Sequence, residues 1–143
     1  MTIRDAGPGD RAAILEIDPV AQTDRDRVKF IERVLESALC LVAEDGSGIL
    51  GYGVLEYTFF ENGFISMVYV SDSARRKGVG TSLMKELASR CETLKLFTST
   101  NESNSGMQGL LEKLGYARSG TIENLDPGDP ELVYFQELGS ETA

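Results

Sequence analysis

Apolar residues recur along this chain at two different periods, and the places where the period changes mark the elements. Val28, Ile31, Leu35 and Ala38 fall three or four apart, with Arg25, Lys29, Glu32 and Arg33 largely on other faces, which predicts a helix from about Asp24 that lays one side on a flat partner. A shorter helix through Ile14 and Ile17 precedes it, broken from a first strand over Thr2–Arg4 by Gly7-Pro8-Gly9 and with Asp10 as the expected N-cap. The stretches Leu39–Ala43, Ile49–Tyr57 and Phe64–Val70 are dense in aliphatic and aromatic residues instead. Bounded by Asp45-Gly46-Ser47-Gly48 and by Glu61-Asn62-Gly63, they predict strands joined by tight turns. Beyond them Val79, Leu83, Met84, Leu87, Ala88 and Cys91 share a helical face, and Leu94–Phe97 predicts a short strand. Met107, Leu110, Leu111 and Leu114 form the stripe of a further helix, closed by Gly115 at C′. Ala117–Leu125 and Leu132–Leu138 predict a final hairpin around Asp126-Pro127-Gly128-Asp129-Pro130. This order predicts an α/β (α+β) fold with a mixed, mostly antiparallel central sheet flanked by helices.

With 143 residues, 41% hydrophobic and 26% charged, the chain has the size and balance of one globular domain, expected over residues 1–138, with 139–143 read as a disordered tail. Cys40 and Cys91 occur without a CxxC or a Cys/His cluster, so both read as small buried hydrophobes rather than as a disulfide or a metal site. Neither a membrane-spanning run nor a signal pattern is present, and a reduced, cytoplasmic protein is expected. The net charge of -9 argues against nucleic-acid or anionic-membrane binding and favours a cationic partner. Histidine is absent, which removes Ser-His and Cys-His nucleophiles and histidine metal sites.

One segment departs from this ordinary pattern. After Val68-Tyr69-Val70 the chain turns polar, passes through Arg75-Arg76-Lys77-Gly78-Val79-Gly80 and enters a helix. Amide N–H groups and the positive end of a helix dipole converge at such a junction, which is how proteins hold phosphate groups. Glycines at 78 and 80 keep Cβ atoms out of the way, and the three cations add charge. A P-loop needs Lys then Ser or Thr after its last glycine, and here Thr81-Ser82 follows; a dinucleotide fingerprint needs a further glycine where Leu83 stands.

The spacing Arg75-x-x-Gly78-x-Gly80 after a Val-x-Val strand resembles the cofactor motif of the GNAT superfamily, the acyl-CoA-dependent N-acyltransferases. A second set, Asn104 with Leu110, Lys113, Leu114, Gly115 and Tyr116, resembles the helix end of the same superfamily. The resemblance implies that the backbone of Val68, Tyr69 and Val70 lines the pantetheine arm of acetyl-CoA, with a free N–H near Val68 for the developing oxyanion. It implies too that Arg75, Arg76, Lys77, Gly78, Val79 and Gly80 wrap the pyrophosphate and that Asn104 hydrogen-bonds the pantetheine. On the residues alone Val68 and Val70 are core strand positions and Asn104 is a helix N-cap, and the two readings are compatible.

The implied activity is direct transfer of an acetyl group to a primary amine, without a metal. Its acceptor would be a small-molecule or peptide amine, cationic at neutral pH, and the oligomeric state stays open, with a homodimer among the options. Two positions depart from the pattern: many relatives have a tyrosine acid where this chain has Leu111, and a strand glutamate where it has Ser66. Glu56 and Glu61 remain as candidate bases, Glu56 first because its apolar surroundings favour burial, with a solvated strand-end carboxylate as the plain alternative for each. Tyr57, Phe59 and Phe60 read equally as pocket or as core. A non-catalytic acyl-CoA-binding module is the alternative function.

Overall fold

In a computed structural model, which describes residues 1–139, the chain forms a seven-stranded sheet with four α-helices. In chain order these are β1 (Thr2–Asp5), α1 (Arg11–Ile17), α2 (Arg25–Ser37), β2 (Leu39–Asp45), β3 (Gly48–Phe59), β4 (Asn62–Val70), α3 (Val79–Arg90), β5 (Lys95–Asn101), α4 (Ser105–Lys113), β6 (Ala117–Ile122) and β7 (Glu131–Glu137). The strand order is β1-β2-β3-β4-β5-β7-β6. β1 with β2, β2 with β3, β5 with β7 and β6 with β7 are antiparallel, and β4 with β5 is parallel, so the expected mixed sheet is present. Of the expected tail, residues 140–143 lie outside the described residues. Contacts cluster the chain into two compact units: residues 1–56 with 67–90, and residues 57–66 with 91 onward.

Alternation along β2 and β3 builds the first unit. Cys40, Val42, Tyr52 and Val54 point to one face and pack with Ile14, Ile31 and Val34 of α1 and α2. On the opposite face of β3, a Cβ at Gly51 would stand 2.6 Å from the Tyr69 carbonyl oxygen, and one at Gly53 would stand 2.8 Å from Leu87 of α3. Glycine at these two positions is what allows β4 and α3 their close approach. The fully buried positions of α2 are Ile31 and Val34; Leu35 is half-buried and Ala38 already lies beyond the helix. Asp10 also differs from expectation. Its carboxylate accepts from Gly7 N–H (2.8 Å) and forms a two-pronged pair with Arg4 (2.9 Å each), so α1 starts without a side-chain cap.

The most buried charge of this unit is Asp18, fully enclosed between α1 and a 3-10 turn over Pro19–Gln22. Its Oδ2 accepts from Tyr52 Oη and from Arg27 Nη1, both at 2.6 Å, and its Oδ1 accepts from the Val20 amide at 3.1 Å. Burial and the carboxylate together push the Tyr52 phenol well above its ordinary range, which keeps it a donor.

In the second unit β4 pairs with β5 through Gly63, Phe64 and Ile65, and the Thr98 hydroxyl donates to the Ile65 carbonyl at 2.9 Å. The rings of Phe59, Phe64, Phe97 and Phe135 run in a contiguous series with centroids 4.9 to 5.8 Å apart. The turn before β4 falls at Phe60-Glu61, both at positive φ (52° and 65°), and Asn62 and Gly63 already belong to the strand. Two consecutive residues of positive φ form the hairpin turn that matches strand twist, and here non-glycine residues supply it. Cys91 sits just past α3 and is half-buried rather than buried. α4 ends as its glycine suggested: Gly115 has φ 91°, and the Gln136 amide donates to the Leu114 carbonyl at 3.0 Å.

Two outcomes follow for stability. Arg27→Met would leave the Asp18 carboxylate enclosed without its cation, and a loss of about 3–5 kcal/mol is expected in urea unfolding. Arg4 pulls the pKa values of Asp10 and Glu44 down by hydrogen bonding. A depressed folded-state pKa contributes stability above the unfolded value and loses it as pH falls through the folded one. Arg4→Met is therefore expected to destabilise at pH 7, and its difference from the parent should shrink progressively in melting curves as pH falls below the ordinary carboxylate range.

Candidate functional site

The junction between β4 and α3 is an exposed loop slung between two buried anchors. Ala74 and Val79 are each 2% exposed, while Arg75, Arg76, Lys77 and Gly78 all face solvent. The Ser71 amide donates to the Leu50 carbonyl of β3 (2.9 Å), and a 3-10 turn over Asp72–Ala74 redirects the chain. Arg76 (φ 66°) and Gly78 (φ 80°) both adopt left-handed backbone. Open space surrounds the position a Gly78 Cβ would take. The first helical bond of α3 runs from Ser82 N–H to the Gly78 carbonyl at 3.0 Å. The amides of Gly78, Val79, Gly80 and Thr81 thus precede the intrahelical ladder, at the positive end of the helix dipole.

Arg75 does more than add charge. Its Nε donates to the Val70 carbonyl at 3.1 Å, its Nη1 lies 3.3 Å from Asp72 Oδ1, and its guanidinium stands 5.5 Å from the Tyr69 ring centroid. The side chain folds back on the end of β4 and clasps the loop, while its half-exposed fork keeps donors available to an anion. Val68, Tyr69 and Val70 are all half-buried; Tyr69 packs with Met67 against the α1/α2 core, and Val68 faces the Gly53 side. The first unit therefore brings the strand end and all six predicted loop residues together.

Asn104 belongs to the second unit and is the N-cap of α4, its Oδ1 accepting from the Met107 amide at 3.1 Å. The cap engages the side-chain oxygen and not the amide nitrogen. Leu111 is fully buried, and no phenol replaces it on α4. Tyr116, at the end of the same motif, holds the only buried side-chain polar atom without a hydrogen-bond partner among the described residues, and burial raises its pKa to about 12.

Glu56 is 8% exposed, so it is not a solvated strand-end carboxylate. Among its contacts, Oε1 accepts from Arg33 Nη1 at 2.8 Å and Oε2 from Arg33 Nη2 at 3.5 Å, and the bond raises the pKa of Arg33. This pair, and the Asp18 network, had no signal in the sequence: Arg33 reads as a polar-face residue of α2. Glu61 sits exposed in the Phe60-Glu61 turn. Tyr57 is half exposed, its oxygen accepting from the Glu92 amide at 3.0 Å. Phe59 joins the aromatic series, and Phe60 is 85% exposed. Among the described residues no group of acidic or cysteine side chains could hold a metal ion, and no helix is long and apolar enough to cross a membrane.

The model of the Acetyltransferase (GNAT) family matches residues 11–116. Among solved structures, a GNAT-family acetyltransferase from Bacillus cereus ATCC 10987 superposes with a TM-score of 0.87 at 33% identity, covering 95% of this chain and 96% of the other. A putative acetyltransferase from Salmonella typhimurium, solved with its cofactor acetyl-CoA, gives a TM-score of 0.79 at 23% identity over 100% and 96% of the two chains. A ribosomal-protein-alanine N-acetyltransferase from Brucella melitensis gives 0.75 at 22%, over 96% and 100%. No curated protein matches in sequence.

The clasp formed by Arg75 is open to direct measurement. Arg75→Ala is expected to raise amide hydrogen exchange at Arg76, Lys77 and Gly78 while lowering global stability by no more than about 1 kcal/mol, because the lost bonds are solvent-exposed.

Proposed function

Because the chain belongs to the GNAT acetyltransferase family, we propose that it transfers the acetyl group of acetyl-CoA to a primary amine by direct attack within a ternary complex. The observation that carries this reading is the loop Arg75–Gly80, where an exposed cationic run, Arg75–Lys77, leads directly into the amides that precede the intrahelical ladder of α3. A pyrophosphate on those amides would set the pantetheine arm along Val68, Tyr69 and Val70. An N–H near Val68 would stabilise the oxygen of the thioester carbonyl as negative charge develops there. The bond from amine nitrogen to acetyl carbon forms as the carbon–sulfur bond breaks.

An alkylammonium with a pKa of ~10.4 must lose a proton before it attacks. Glu56 is the proposed base, accepting that proton directly or through water. Its near-complete burial supports the role, since a carboxylate removed from bulk water interacts strongly with a cation brought beside it. With Leu111 in place of a phenol, the thiolate takes its proton from solvent. A thiol of pKa ~8.5 is a tolerable leaving group, and general-acid help is worth only ~10² to 10⁴ in rate. The alternative, a non-catalytic acyl-CoA-binding module, is favoured by one observation: the buried apolar Leu111 itself.

Thermal melting and thiol release separate the two. Acetyl-CoA at one hundred times its dissociation constant should add about 2.7 kcal/mol, a shift of ~5 to 10 °C, and no shift would remove both readings. Gly80→Val should abolish that shift with the apo melting point little changed, and Arg75→Ala should reduce it. A panel of phenethylamine, a diamine, a lysine peptide and an alanyl peptide should then show amine-dependent release of free CoA thiol. A melting shift with no thiol release across the panel would select the binding module.

A further inference from the structure

The row of side chains that ends in Glu56 is otherwise core. Tyr52, Val54 and Glu56 alternate along the same face of β3, and the first two pack with Met67 and Tyr69 of β4 against α1 and α2. A carboxylate at the end of such a row needs a cation, and the structure supplies Arg33. The two partners differ in how firmly they are held. Glu56 is 8% exposed, whereas the Arg33 side chain is 53% exposed and makes one short bond and one long one. At Asp18, by contrast, the cation is itself mostly enclosed (23%). Arg33 also has somewhere to go: its guanidinium already lies 5.4 Å from the Phe30 ring centroid, a contact that needs no carboxylate.

We propose that the Arg33 guanidinium stands in for the acceptor's ammonium group, occupying Glu56 in the free protein and exchanging for the amine when the acceptor enters. This rests on the reading of Glu56 as the acceptor-side carboxylate. The exchange keeps one cation against the buried charge throughout, so the net charge of the pair is conserved. It also sets a specificity. A compact ammonium with N–H donors can take the place of the Arg33 fork, and a quaternary ammonium cannot, because it has no hydrogen to give.

The test needs no knowledge of the natural acceptor. In 15N-labelled protein the Arg33 Nε–H resonance, assigned by its loss in Arg33→Lys, is followed during titration with n-butylammonium chloride and, at equal ionic strength, tetramethylammonium chloride. A saturable movement with the primary ammonium alone, absent in Glu56→Gln, is expected. Equal movement with both salts would mean simple screening, and no movement with either would mean a fixed pair; each overturns the proposal. In the thiol-release assay Arg33→Gln should lower the KM for the fastest amine of the panel several-fold and leave that for acetyl-CoA unchanged, with a smaller change in Arg33→Lys. A raised amine KM in Arg33→Gln would overturn it too. If Glu56→Gln turns over like the parent, Glu56 is not the base, and the resonance titration still decides whether the pair exchanges.

Discussion

A single enclosed carboxylate organises the first unit. Asp18 has no contact with water, and its three donors come from three places: Arg27 on α2, Tyr52 in the middle of β3 and the Val20 amide in the turn that links α1 to α2. Removing a carboxylate from water costs several kcal/mol unless its lone pairs are answered, so these partners are held together by a penalty for separation more than by an attraction. Once Tyr52 is fixed to the helical connection, the register of β3 against α2 is fixed as well. Every second residue along the strand then has a set neighbour: Val54 meets the hydrophobic core, and Glu56 meets Arg33.

What could be read from the sequence was what the sequence states locally. The loop from Arg75 to Gly80 was legible as a junction because glycine spacing, charge and the change from strand to helix lie within a dozen residues, and the structure has β4 end and α3 begin on either side of it. Gly115 was legible for the same reason, since a C′ glycine acts on its own helix. Asn104 was legible as a cap. The ion pairs were not, because Arg27 and Arg33 look like solvated positions until α2 is laid on β3, and only the tertiary arrangement says which carboxylate each will meet. The turn was expected over Glu61-Asn62-Gly63 and falls at Phe60-Glu61, because Asn62-Gly63 carries the stronger hairpin signal, yet β4 begins at Asn62 and pairs Gly63, Phe64 and Ile65 with β5.

Charge is distributed against the protein's overall sign. The chain carries -9, yet the run from Arg75 to Lys77 is wholly cationic and exposed. A negative protein repels a polyanion at long range, so attraction has to come from within about one Debye length, roughly 8 Å at physiological salt. Fixed amide dipoles suit that range, because they act at hydrogen-bonding distance and are not diluted by the surrounding acidic surface.

The Arg75 clasp bears on how fast such a loop can capture anything. A flexible loop of this kind would sample many conformations, and each encounter would have to wait for, or induce, the one that binds. With Arg75 tied to the Val70 carbonyl and to Asp72, the backbone on the strand side of the loop is restrained before any ligand arrives. Freedom already given up during folding does not have to be surrendered again on association. Under the proposed function, such a loop would capture its ligand at rates set by diffusion and orientation, and residence time would become the quantity left for substitutions in the loop to tune.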